Sequence, residues 1–149
     1  MSFVRTALSR LGSLLGSSPA NAPLRRLRII NQSRGIVLAT MAELADTAPS
    51  RSKGLLGRDS LAKGEALWIV PCESVHTFFM RFALDLVYLD RSRRIIKIRT
   101  NVQPWRLSAC LRAHSIIELA AGSIDPKGTA VGDQLAFEPA YGDETAERL

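Results

Sequence analysis

Every cysteine and every histidine of the chain falls into one of two Cys-x3-His pairs, Cys72 with His76 and Cys110 with His114. Such residues offer two chemistries. All four together would make a tetrahedral Cys2His2 zinc set, whereas Cys72 as thiolate with His76 as base would make a nucleophilic pair. Either use needs the chain to fold back at Glu73–Val75, because an extended segment would hold Cys72 and His76 about 13 Å apart. From His76 onward the residues alternate as in a strand, and zinc sites usually show tighter spacing such as C-x2-C. No glycine-rich oxyanion turn flanks Cys72, a feature that stabilises the intermediate in acyl transfer. A small zinc-dependent or thiol-based enzyme is therefore the second reading.

The first reading rests on the same stretch, CESVHTFFMRFALDLVYLD, residues 72–90. Here polar and reactive side chains interrupt an apolar run that a plain core strand would fill with Val, Ile and Leu. Asp85, set between Leu84 and Leu86, must be paired or hydrogen-bonded, since an isolated buried carboxylate is costly. Arg81 is the nearest cation in sequence, and a structural Arg81–Asp85 bridge is the simplest expectation. The stretch predicts a non-catalytic binding or accessory domain with a pocket or groove built by His76, Phe79, Met80, Arg81 and Asp85.

The elements that must position these residues are short. Leu27–Thr40 reads as a hairpin around Asn31–Gly35. Thr47 can cap a short helix with Pro49 in its first turn and Gly57 at its end, giving one α-helix near residues 47–57. Ala66–Val70, Leu84–Asp90, Arg94–Arg99, Ser115–Leu119 and Gln134–Glu138 read as strands, with a hairpin loop at Asp90–Arg93. In Arg94–Arg99 simple alternation sets Ile96 and Ile98 on one face and Ile95 on the other. Trp105 is expected to close a core edge, Ser123 to cap a turn over Pro126, and the chain to fray from Pro139. The expected fold is mainly β: a single-domain β-sandwich or barrel-like fold with one short helix.

The formal net charge of +6 belongs entirely to residues 1–41, which hold six arginines and no acid, while the remainder carries 14 basic and 14 acidic groups. A neutral body argues against a nucleic-acid domain, whose phosphate contacts need cations gathered on the folded surface. Seven basic residues and no acid lie between Arg91 and Arg112, a solvated hairpin or a face for an acidic partner. Residues 1–23 form a basic amphipathic leader able to lie on a membrane surface, and residues 141–149 a polar tail. No apolar run reaches the roughly 20 residues of a membrane-spanning helix. Cytoplasmic residence is the first expectation; export follows if residues 1–22 serve as a signal peptide, although Arg10 divides the apolar region such a signal needs. No phosphate-binding loop or nucleotide fingerprint is present, so no cofactor is expected, and the partner is an unidentified ligand or protein.

In order, the chain shows GLLGR after the Thr-Pro helix, WIVPC, HTFFMRFALDLVYLD, Asn101 with Pro104, ELAAG from Glu118, and Gly132-Asp133. This series resembles the DUF192 (UPF0127) family from about Arg28 to Phe137. The resemblance implies a compact, mainly β body over residues 24–140 with no established activity. It places the family's aromatic-Met-basic segment on Phe79-Met80-Arg81, its buried acid on Asp85, its loop asparagine on Asn101 and its late acid on Glu118. Phe79 and Arg81 stand where many relatives have Trp and Lys, which counts against any role that needs an indole N–H or a lysine amine.

Overall fold

The structure, a computed structural model, describes residues 25–140. The leader and the 141–149 tail fall outside them. Strands β1 (Arg26–Asn31), β2 (Ile36–Ala45), β3 (Glu65–Ile69), β5 (Leu84–Leu89), β6 (Ile95–Val102), β8 (Ser115–Ala120) and β9 (Leu135–Pro139) form one sheet in the order β6-β5-β8-β3-β2-β1-β9. Neighbours are antiparallel except β2 and β3, which run parallel and are joined through helix α1 (Ala48–Lys53), as parallel neighbours need a crossover. A separate two-stranded ladder pairs β4 (Ser74–His76) with β7 (Leu107–Ala109).

The large sheet curls until its two edge strands meet at one end. Arg94 bridges Gln134, the Ile95 amide donates to the Asp133 carbonyl at 2.9 Å and the Leu135 amide to that of Arg93 at 3.0 Å. The result is a half-barrel, mainly β with one short helix, as the sequence predicts. Inside it lie Ile29, Leu38, Val87, Leu89, Ile95, Ile117, Leu119 and Leu135. The outer face of β3, β5 and β8 carries a second core of Leu67, Ile69, Leu84, Leu86, Tyr88 and Ile116, covered by Leu55, Leu61, Val75 and Met80. With apolar layers on both sides, β5 and β8 are buried at every position, which is why they read as unbroken apolar runs.

Four local expectations change. Helix α1 stops at Lys53 because Gly54 adopts a positive φ of 48°, three residues before Gly57; Thr47 caps it as expected, in a reciprocal box with Ser50. A register shift between Tyr88 and Leu89 marks a bulge against β6, so Ile95 and Ile98 share the inner core while Ile96 packs outside. Asp125, not Ser123, caps the turn over Pro126: its Oδ1 accepts from the Lys127 amide and its carbonyl from the amides of Gly128 and Thr129. Pro139 does not fray; it pairs with Leu27 in β9, and the buried Ala140 donates its amide to the Arg26 carbonyl.

Candidate functional site

The segment after His76 is not a strand. β4 ends at His76, and residues 77–83 turn across the end of β7. Thr77, buried, is the reason. Its amide donates to the Arg106 carbonyl at 2.8 Å, its carbonyl accepts from the Trp105 amide at 2.9 Å, and its Oγ1 accepts from the Arg106 amide and donates to the Gln103 carbonyl. One threonine thus satisfies the backbone of two loops at once. Within this corner Phe79, Asn101 and Trp105 all adopt positive φ, between 52° and 64°, a conformation that costs a non-glycine residue free energy and persists only where surrounding bonds impose it.

The strain turns side chains outward. Phe79 and Trp105 meet edge to face at 4.7 Å, Phe78 lies 5.9 Å from Trp105, and His76 stacks on Phe78 at 5.1 Å between ring centroids. Trp105, expected at a core edge, is exposed, because its left-handed backbone points the ring away from the sheet.

Behind this corner is a cleft of about 320 Å³ between the end of α1 and β4. Leu55, Leu56, Ile69, Val75 and Met80 supply apolar walls, Arg51 and Lys53 stand on the helix side, and Cys72, His76 and Glu118 supply the reactive groups. Arg51 is fixed there by donating to the carbonyls of Asp46 and Val70. Glu118 is 5% exposed, and its Oε2 has no hydrogen-bond partner among the described residues. Burial pushes its carboxyl up to about 7, opposed by the nearby Arg58 guanidinium, which itself pairs with Glu43 at 2.5 Å. A neutral or half-ionised acid facing a cleft can both donate and accept a hydrogen bond.

Cys72 has no such activation. Burial raises its thiol, which donates to the Ser74 carbonyl at 3.1 Å rather than meeting His76. Because β4 is extended, the turn at Glu73–Val75 that the catalytic or zinc reading requires does not form. Among the described residues no three His, Cys, Asp or Glu side chains converge as a metal set, so Cys72, His76, Cys110 and His114 are not assembled. His114 instead lines a separate hollow with Cys72, Glu73 and Arg91.

The expected Arg81–Asp85 bridge is also absent. Arg81 lies on the surface paired with Asp59, while Asp85, fully buried, accepts the Asn101 amide at 2.8 Å and the Ile124 amide at 2.9 Å. The physical cause is the turn at 77–83, which removes Arg81 from the strand that carries Asp85. Of the residues singled out in the sequence, His76, Met80 and Glu118 meet in the cleft, Phe79 stands on the aromatic corner, and Asp85 and Asn101 brace that corner from behind. Arg51, Lys53 and Thr77 were not anticipated. Thr77 carries no sequence signal for its role, since that role depends on one distant loop, residues 103–106.

The profile of the DUF192 family, described as Uncharacterized ACR, matches residues 29–137. The chain belongs to this family. Curated DUF192 relatives include UPF0127 proteins of Thermococcus sibiricus, 31% identical over 116 residues with 74% of each chain covered, and of Pyrococcus abyssi, 30% identical over 116 residues with 73% of this chain and 96% of the relative covered. Two crystal structures share the DUF192 fold seen here. A Sinorhizobium meliloti protein whose name assigns it provisionally to transcription regulation is 24% identical with a TM-score of 0.65, over 75% of this chain and 92% of its own. A protein of unknown function from Novosphingobium aromaticivorans is 22% identical with a TM-score of 0.63, over 81% of this chain and 94% of its own. At these identities the likeness concerns the fold alone.

Proposed function

We propose that this DUF192 chain is a non-catalytic binding module. Its ligand is a small molecule, or one side chain of a larger partner, that places an apolar body between Leu55, Ile69, Val75 and Met80 and a hydrogen-bonding head against Glu118. The observation that carries this reading is the buried, unpartnered Oε2 of Glu118 on the wall of the cleft. A buried polar atom without a partner is uncommon in a folded protein and points to a role outside folding. The lining divides evenly between apolar side chains and polar ones such as Arg51, His76 and Glu118, and its volume, near the lower end for ligand pockets, fits the same use. His76 and Met80 form the wall nearest the aromatic corner, and Arg51 and Lys53 favour an electron-rich group on the far side.

Amide chemical-shift mapping with a panel of small amides, carboxylic acids and alcohols tests the reading. Expected are shifts at Cys72, Val75, Met80 and Glu118 for ligands that can reach Glu118, and their loss in Glu118→Leu. A panel that leaves these resonances unmoved, or that moves them equally in Glu118→Leu, overturns it.

A further inference from the structure

Among the described residues, four of the five large apolar side chains that are more than half exposed belong to one region, the fifth being Val131. Trp105, Leu107 and Leu111, at 56%, 66% and 80% exposure, follow one another at every second or fourth residue through β7 and its flanks, and Phe79, at 74%, packs against Trp105. Ser108, between Leu107 and Ala109, points the other way and meets the Tyr88 hydroxyl at 2.5 Å in the core. The outer side of β7 and its flanks is therefore an apolar ribbon, beside which β4 presents Ser74 and His76, and the inner side of the ladder is fully used. Strained backbone at Phe79 and Trp105 holds two of its aromatics outward, a cost that burial in the fold does not offset.

The charge around the ribbon is mostly positive, with the exposed Glu73 beside Cys110 and Asp59 paired with Arg81 as the acids at its borders. Residues 74–84 and 91–112 contain no acid. Lys97 and Arg99 reach from β6 to the edge of β7, where they donate to the carbonyls of Ala109 and Leu107. Arg106 and Arg112 are exposed on the turns at either end. Those lysine and arginine contacts occupy the free edge of β7, which disfavours addition of a partner strand there. What remains is a set of aromatic and leucine tips with cations beside them. Tips of this kind enter the boundary of headgroups and acyl chains, while neighbouring cations stay level with anionic headgroups.

We propose that the outer face of the β4–β7 ladder, led by Phe79, Trp105, Leu107 and Leu111, docks on an anionic membrane surface. This surface lies in the folded body, and the proposal does not depend on the cleft being a ligand site.

The two tryptophans make the test specific, because Trp68 is buried and Trp105 is exposed. With the full chain and vesicles of phosphatidylcholine and phosphatidylglycerol in equal parts, tryptophan emission shifts to the blue on binding. High salt reverses the shift, and pure phosphatidylcholine vesicles produce little of it. Phe79→Ser with Leu107→Ser weakens the emission-detected binding by about tenfold or more through the lost apolar insertion. The double variant changes exposed positions, and a circular dichroism melt confirms that it folds. Co-sedimentation with unchanged emission would mean that the leader alone adsorbs, and overturns the proposal, as does an unaffected double variant. A blue shift with poly-L-glutamate and none with vesicles overturns it in favour of an acidic protein partner.

Discussion

Asp85 and Glu118 sit on adjacent strands of one sheet, both buried, and they face opposite ways. Asp85 turns inward near the open end of the half-barrel, and each of its oxygens takes a backbone amide, from Asn101 near the end of β6 and from Ile124 in the loop after β8. Glu118 turns outward with Ile116 and Ala120, and Oε2 takes nothing from the described residues. The first acid is a strut that ties the end of β6 and the loop after β8 to β5. The second is kept at a cost, and it is the one that lines a cleft. A buried acid is therefore not a site by virtue of burial; what separates the two is whether the fold supplies donors.

The comparison breaks most directly at Asp85. Asp85→Ala strands two amides, so its stability in urea should fall by about 3–5 kcal/mol, and Asp85→Asn should recover part of this because one acceptor survives. A loss below about 1 kcal/mol would show that the amides find water instead. Because two donors converge on this carboxylate, the expected cost exceeds that of a single surface ion pair.

At Glu118 the sign reverses. Its folded carboxyl holds a proton up to about 7 against an ordinary 4.5, so the folded state binds more protons than the unfolded one between these values. Its contribution is fully present below about pH 4.5 and is lost as pH rises to about 7, by about 3 kcal/mol in all. Denaturation midpoints across this window should fall in the parent and level off in Glu118→Gln. A parallel slope in the variant would assign the effect to another group. Asp133 behaves oppositely: bonds from the Asn31 side chain and the Ala130 amide hold its carboxyl below the usual 3.8. Stability from Asp133 is present above pH 3.8 and is lost as pH falls through its lower folded value.

Two smaller changes sharpen the picture of the outer layer. Tyr88→Phe removes the buried bond to Ser108 beneath the β4–β7 ladder and should cost about 1 kcal/mol; a thermal melt unchanged from the parent would mean that the ladder is not anchored there. Removal of residues 1–23 should change the melt least, within about 0.5 kcal/mol, if the body folds without the leader. Failure of the truncated chain to fold would place Leu8, Leu11 and Leu15 in the core.

The sequence by itself determined the class of fold and most of its strands, because periodic apolar runs, Thr47 with Pro49, and Asp90–Arg93 act through neighbours in the chain. It also marked the stretch that borders the cleft, since reactive side chains stand out wherever they interrupt a buried run. It did not determine what each marked residue does. The threonine lacing that ends β4 at His76 joins residues 26 and 29 positions apart, and it sends Arg81 to Asp59 and turns Phe79 and Trp105 to solvent. Only the tertiary structure decided which of two buried acids would find donors, because those donors are backbone amides, which every residue but proline carries and which therefore leave no mark on the sequence.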